Sequence, residues 1–133
     1  EPPLFVHGVQ ICRAELQRGA DAQGYVQGSN PVVSLLALEA QEGTDEMLAR
    51  VAGLPTEIRG VENARRGVLV KRPKPIQDRR IDLPTIGLPT VEAVARAGLA
   101  GIAVEAGGAL VMQREALIRR ADELGLFVYG FTP

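Results

Sequence analysis

Basic and acidic side chains are concentrated in one proline-rich stretch, KRPKPIQDRRIDLPTIGLPT (Lys71–Thr90). It holds five of the fifteen Lys and Arg residues of the chain, four of its nine prolines and two aspartates, Asp78 and Asp82. Basic groups hold phosphate oxygens, and arginine can do so in a bidentate way. The two carboxylates would serve as ligands for a hard cation, or as one ligand and one general base. Phosphate, cation and carboxylate are the parts of a phosphoryl-transfer site, and its basic candidates are Lys71, Lys74, Arg79 and Arg80.

The same stretch has a simpler interpretation that its composition leaves open. Four prolines fix the backbone, so they favour a stiff path over a helix or a regular strand. Connections of this length inside a small domain are uncommon, and they are usually functional or disordered. The charges could equally form ordinary ion pairs on a solvated loop, and two aspartates four residues apart are weak evidence of a site.

Two further places in the chain carry acidic residues that could belong to a site or have only a structural role. Glu42, Thr44 and Asp45 stand at the start of a predicted helix, where free amides bind anions, although their residue types favour simple capping. Glu105 ends an apolar strand just before a Gly-Gly turn. Its carboxylate could face a site or point to solvent.

The overall composition indicates a single globular domain. The chain has 133 residues, of which 46% are apolar, and no apolar run long enough for a membrane span. The chain has a single cysteine, Cys12, which excludes an internal disulfide framework and is typical of a cytoplasmic protein. His7 is the only histidine, so a zinc site of soft ligands is not expected. The opening EPPLFVHG does not match a secretory signal, so we expect a piece of a longer protein.

The net charge of −1 is too balanced to indicate a nucleic-acid or membrane partner by itself. The tetrapeptide GLAG (Gly98–Gly101) matches the GxxG loop of KH domains but has no basic flank, and aromatic residues are scarce. We therefore expect no nucleic-acid partner.

The first third of the chain predicts one helix and a hairpin. Val9, Cys12 and Leu16 have helical spacing up to Gly19, which predicts a helix with Cys12 packed in its apolar face. A strand near 22–27, a turn and a strand near 32–39 follow. The second of these strands is apolar on both faces, which predicts a central position in the sheet.

The rest of the chain alternates helices and strands. Helices are predicted after the caps Thr44 and Thr90 and over REALIRRADELG, with stops at Gly98 and Gly125. Strands are predicted at GVLVKR, GIAVE, ALVM and LFVYGF. This order predicts an α/β fold with a mixed sheet of about five to six strands and three to four flanking helices.

These residues bring a known family into view. The segment GVLVKRPKPIQDRRIDLPTIGLPTVEAVARAGLAGIAVEAGG, with EAQEGTDEML before it, closely resembles the C-terminal domain of the UDP-2,3-diacylglucosamine pyrophosphatases. These are the magnesium-using enzymes of many Gram-negative bacteria. The resemblance runs from about Asp21 to the C-terminus, and its most specific part is K-x-x-K-P-x-Q-D-x-R-x-D-L-P-x-x-G.

The resemblance implies a reaction of lipid A biosynthesis. Water would attack the α-phosphorus of UDP-2,3-diacylglucosamine, giving UMP and 2,3-diacylglucosamine 1-phosphate with Mg²⁺ as cofactor. It also implies that Asp78 and Asp82 bind the metal or orient the water, without deciding which does what. The polar positions of the motif would hold the diphosphate, and other matching positions have less defined roles; the substrate-binding candidates are Lys71, Lys74, Gln77, Arg80, Thr85, Thr44, Asp45 and Glu105.

The family architecture implies an N-terminal domain that precedes this one. Residues 1–20 are then a linker or helix leading from it, and residues 21–133 are the C-terminal catalytic and substrate-binding domain. A cytoplasmic protein is expected, with a homodimer and a peripheral contact with the inner membrane left open. The alternative function is a non-catalytic module that binds a phosphorylated sugar or nucleotide, and a purely structural domain is a third.

Overall fold

The structure, a computed structural model, describes residues 10–15, 32–73 and 83–132. Within these ranges the chain forms seven strands and three helices. In chain order they are β1 (Gln10–Glu15), β2 (Val32–Leu38), α1 (Thr44–Ala52), β3 (Val68–Lys71), β4 (Thr85–Ile86), α2 (Leu88–Arg96), β5 (Gly101–Glu105), β6 (Leu110–Val111), α3 (Arg114–Leu124) and β7 (Phe127–Phe131). No helix among these residues is long and apolar enough to cross a membrane.

Five of the described strands form one mixed sheet in the order β2-β1-β3-β5-β7. β1 is antiparallel to both of its neighbours, whereas β3, β5 and β7 are parallel to one another. Parallel neighbours require a crossover, and α2 and α3 supply it between successive strands. β4 and β6 form a separate two-stranded parallel sheet. The predicted α/β fold with a mixed sheet and three flanking helices is confirmed.

The helix predicted over Val9–Leu16 is wrong, because residues 10–15 are the strand β1. β1 pairs with β2 on one side and with β3 on the other. Hydrogen bonding to two neighbours outweighs a helical spacing of three apolar side chains, since strand formation depends strongly on tertiary context. Cys12 therefore lies on a strand, with Leu35 and Val68 as its register partners. The division at residue 20 stays a prediction, and β1 lies in its first part.

The predicted strand near 32–39 is confirmed as β2, but its central position is wrong. β2 lies at one edge among the described strands. Its apolar run does not require two covered faces, since Leu38 is 38% exposed while Ala37 is buried in the core. The strand and turn predicted between residues 22 and 31 lie outside the described residues.

One hydrophobic core joins the three helices to the sheet. Met47, Leu48 and Val51 form the inward face of α1, and Leu117 and Ala121 form that of α3. In α2, the buried residues are Val91, Ala93 and Val94. These side chains pack in the same cluster as Leu69 of β3 and Ile102 of β5. The core therefore fixes the helices relative to the ends of the parallel strands.

The predicted N-terminal caps of α1 and α2 are wrong, whereas the predicted glycine stops of α2 and α3 are confirmed. Thr44 is the first residue of α1 and follows the cap Gly43, so its role as cap is wrong. Thr90 is not the cap of α2 either, but its Oγ1 accepts a hydrogen bond from the N–H of Gly87 at 3.2 Å. Gly98 and Gly125 end α2 and α3 with φ of +74° and +69°, as predicted for left-handed stops.

Candidate functional site

A cleft of about 470 Å³ lies at the carboxyl end of β3. This is the edge at which parallel strands of α/β folds place their ligands. The beginnings of α1 and α2 and the strand β4 complete its walls. The lining residues are Glu42, Gly43, Thr44, Asp45, Lys71, Thr85, Gly87, Pro89 and Thr90. Four of the predicted substrate-binding residues, Thr44, Asp45, Lys71 and Thr85, are therefore brought together.

Lys71 is a buried cation in the wall of this cleft, with 8% of its surface exposed. As the last residue of β3 it lies two positions after the buried Leu69, and alternation along a strand puts both side chains on the same face. Its Nζ donates a hydrogen bond to the carbonyl oxygen of Thr85 at 2.9 Å. Burial lowers the pKa of Lys71 below 10.5, although the charges of Glu39 and Asp45 act in the opposite direction.

Two helix N-termini contribute to the same cleft. Gly43, Thr44 and Asp45 begin α1, and no side chain caps that end in the described structure. Gly87, Pro89 and Thr90 begin α2. The first amides of a helix have no acceptor within it, and the helix dipole adds positive potential there. Together with Lys71, the two helix ends make this part of the cleft suited to an anion such as phosphate.

The carboxylates at the cleft have different surroundings. Glu42 accepts hydrogen bonds from the N–H of Ala40 at 3.0 Å and from the guanidinium of Arg50. A backbone hydrogen bond at Glu42 itself, followed by the bond from Arg50, lowers the pKa of its carboxyl. Glu42 therefore fixes the turn before α1. Asp45 is exposed in the first turn of α1, so its carboxylate brings negative charge to the cleft.

Glu105 does not line the cleft with the other described candidates. Val104, not Glu105, is the register partner of Lys71, so alternation puts the Glu105 side chain on the other face of the sheet. Glu105 is 3% exposed and forms an ion pair with Arg72, whose Nε lies 3.3 Å from Oε2. A Cβ at Gly108 would come within 3.1 Å of its Oε1. The ion pair thus joins the carboxyl ends of β3 and β5 just before Pro73.

The remaining predicted site residues lie outside the described residues, in the segment 74–82. The segment begins three residues after Lys71 and two after Arg72. The chain returns two residues before Thr85, and the hydrogen bond between Lys71 and Thr85 joins the two sides. Among the described residues, no group of three or more His, Cys, Asp or Glu side chains could hold a metal ion. The predicted residues in this segment are Lys74, Gln77, Asp78, Arg79, Arg80 and Asp82.

Sequence reasoning missed the contribution of the α2 N-terminus to the cleft. Gly87 and Pro89 line it, as does Thr90, which was predicted only as a cap. The signal was present, since a glycine followed by Leu-Pro-Thr is typical of a helix start. The ion pair of Arg72 was also missed, because it depends on the register between β3 and β5.

Comparison with known proteins gives a consistent result. The family model described as the LpxI C-terminal domain matches residues 7–129. A relative from Caulobacter vibrioides (strain ATCC 19089 / CIP 103742 / CB 15), the UDP-2,3-diacylglucosamine pyrophosphatase LpxI, is 64% identical over 99 residues. The match covers 74% of this chain and 35% of that relative. The chain thus aligns with about a third of the length of the relative.

Proposed function

Because the chain belongs to the LpxI family, as its C-terminal domain, we propose that it forms part of a pyrophosphatase of lipid A biosynthesis. The whole enzyme hydrolyses UDP-2,3-diacylglucosamine at the α-phosphate, giving UMP and 2,3-diacylglucosamine 1-phosphate. The observation that carries this proposal is the cleft in which buried Lys71 faces two helix N-termini. A diphosphate carries the negative charge that such an arrangement favours.

The diphosphate binds beside Lys71 in this proposal. A phosphate oxygen that accepts a hydrogen bond from Nζ offsets the cost of holding the ammonium group away from water. The first amides of α1 supply further donors, as do those of Leu88 and Thr90 in α2, where Pro89 has no N–H. The Thr85 hydroxyl group lies on the exposed side of β4 and donates to the carbonyl oxygen of Leu83 at 3.2 Å. These groups orient the diphosphate without taking part in bond making.

The segment 74–82 supplies the chemistry in this proposal. Lys74, Gln77 and Arg80 would hold the diphosphate. Asp78 and Asp82 fit Mg²⁺ by donor type, because this ion prefers carboxylate oxygens and substrate phosphates. When bound, Mg²⁺ would polarise the phosphoryl group. Support comes from the described residues on either side of the segment, since Lys71 and Thr85 both line the cleft and are hydrogen-bonded to each other.

Hydrolysis then needs one base and one oriented water. The water oxygen forms a bond to the α-phosphorus while the bond from that phosphorus to the bridging oxygen breaks. The carboxylate that does not hold the metal accepts the proton of the water. The bridging oxygen leaves with the sugar 1-phosphate, and Lys71 and the helix amides stabilise the charge that develops on it.

The partners follow from the same family membership. In this proposal the diphosphate lies between the N-terminal domain of the whole enzyme and this C-terminal domain. Residues 1–20 would lead from one to the other, although β1 within them already pairs in the sheet. The substrate is a lipid-linked sugar nucleotide, so we propose a cytoplasmic enzyme with peripheral contact at the inner membrane. A homodimer is compatible with this arrangement.

The test uses the full-length two-domain enzyme. Release of UMP from UDP-2,3-diacylglucosamine is followed by mass spectrometry with and without Mg²⁺. Asp78→Ala and Asp82→Ala should each lower turnover by at least about 10²-fold while UDP binding stays measurable. The matched control is Asp122→Ala, on the exposed side of α3 and outside the cleft.

Three outcomes separate the candidate functions. Normal turnover in both aspartate variants would contradict the catalytic role of the segment. Equal turnover with and without Mg²⁺ would contradict the proposal that Mg²⁺ is the cofactor. UDP binding without UMP release by the unmodified enzyme would favour a module that only binds a nucleotide or phosphorylated sugar.

A further inference from the structure

A second depression lies between α1 and α2 and has a volume of about 360 Å³. Its size is within the range of about 300–1,000 Å³ found for small-molecule sites. Apolar side chains from both helices form most of its lining, and three charged residues also border it. The lining residues are Leu48, Ala49, Ala52, Pro89 and Ala93, with Asp45, Glu92 and Arg96. We call this depression the interhelix groove.

The interhelix groove and the cleft beside Lys71 are contiguous. Asp45 of α1 and Pro89 of α2 line both of them. Both residues lie in the first turn of their helix, so the groove begins where the helix N-termini face the cleft and extends along the helices. A ligand whose anionic part lies beside Lys71 can therefore place an apolar part in the groove.

The deepest part of the interhelix groove is apolar and does not hold a charge. Leu48 is 1% exposed and Ala93 is also buried. Glu92 is engaged with Arg120 of α3, whose Nε donates to Oε1 at 2.5 Å. This hydrogen bond lowers the pKa of Glu92, so its carboxylate stays ionised and paired. Asp45 is exposed at the end shared with the cleft. Arg96, the third charged residue of the lining, is exposed, and apolar side chains form the rest of the groove wall.

We propose that the interhelix groove binds one acyl chain of the substrate, an inference that rests on the proposed function. The name of the Caulobacter relative specifies a substrate with two acyl groups on the sugar next to the diphosphate. With the diphosphate beside Lys71, a chain leaving the sugar meets the open end of the groove. Each methylene buried there strengthens binding by roughly fourfold, so the groove contributes to affinity for long-chain substrates.

The experiment narrows the groove in the full-length enzyme. Ala49→Leu adds a larger side chain at an exposed helical position in the wall of the groove, where leucine suits the helix. With long-chain UDP-2,3-diacylglucosamine, KM should rise by about 15-fold, the effect of two methylenes losing their contacts. With the diacetyl analogue, whose acyl groups are too short to enter, kcat/KM should stay unchanged. Ala52→Leu, one turn further along the same wall, should act in the same direction.

The matched control is Ala116→Leu, which places the same change on α3 in a separate shallow depression. It should leave KM unchanged for both substrates. If Ala49→Leu and Ala52→Leu leave the long-chain KM unchanged, or alter both substrates by the same factor, the acyl-chain site is wrong. If the unmodified enzyme turns over neither substrate, the proposed function itself fails, and the two failures are thus distinguishable.

Discussion

Lys71→Met tests the role of the buried cation directly. Methionine has a similar length and no charge, so the substitution removes the ammonium group from the cleft with little change in packing. Lys71 is 8% exposed and donates to the carbonyl oxygen of Thr85 at 2.9 Å. We expect nucleotide binding to weaken strongly while the fold is retained.

The expected changes in stability and in UDP affinity follow from two opposing effects on folding and one effect on binding. A hydrogen bond from a charged group contributes about 1.5–3 kcal/mol, but removing a buried charge also removes its desolvation cost. The free energy of unfolding should therefore change by about 1 kcal/mol or less. Losing a buried charge opposite a ligand charge costs about 2–5 kcal/mol. The Kd for UDP should accordingly rise by at least about 30-fold.

Calorimetry with UDP and urea unfolding of the full-length protein measure the two quantities separately. Arg66→Met is the control, since it removes a positive charge from an exposed position that does not line the cleft. Equal UDP affinities in Lys71→Met and Arg66→Met would refute the reasoning. A large loss of stability in Lys71→Met alone would show that its main role is structural.

Because the pKa of Lys71 is lowered, its ammonium group loses its proton at a lower pH than that of an exposed lysine. UDP affinity should therefore decline as the pH rises towards 10.5. Calorimetry across this range should show no such decline in Lys71→Met. The unfolded chain holds that proton more tightly than the folded one, so stability without ligand should rise with pH between the lowered pKa and 10.5, which urea unfolding at several pH values measures. Gly98→Ala should cost more than about 4 kcal/mol or prevent folding, because its φ is +74° and its Cβ would lie 1.8 Å from the carbonyl oxygen of Gly60. Gly125→Ala, at a φ of +69° with no atom within 4 Å of the new Cβ, should cost only about 1–2 kcal/mol, and equal urea midpoints for the two variants would contradict the steric argument.

The parts of the fold that could be predicted have local signals. The run Val68–Val70 is apolar and contains two β-branched valines, and α1 and α3 present their inward residues at helical spacing. Gly98 and Gly125 mark the ends of helices because other residues rarely adopt a positive φ. Lys71 could be identified as a site candidate because a basic residue at the end of a buried strand lies where ligands bind.

The parts that could not be predicted depend on contacts between distant segments. β1 is a strand because it has a partner on each side, which three apolar residues at helical spacing do not show. The location of Glu105 depends on the register that pairs Lys71 with Val104. The interhelix groove depends on how α1 and α2 pack together. The roles of Asp78 and Asp82, which carry the proposed chemistry, stay predictions.

The antiparallel and parallel parts of the sheet meet at β3, which is antiparallel to β1 and parallel to β5. β1 pairs with β3 only over Gln10–Cys12, whereas its pairing with β2 extends over the whole of β1. The α1 wall of the cleft follows β2, while Lys71 belongs to β3, so the two walls are attached to opposite sides of this boundary. Within the sheet, the two walls are therefore connected through β1 and its short pairing with β3. In the proposed function, the pairing of β1 with β3 therefore helps to set the spacing of the walls that would hold the diphosphate.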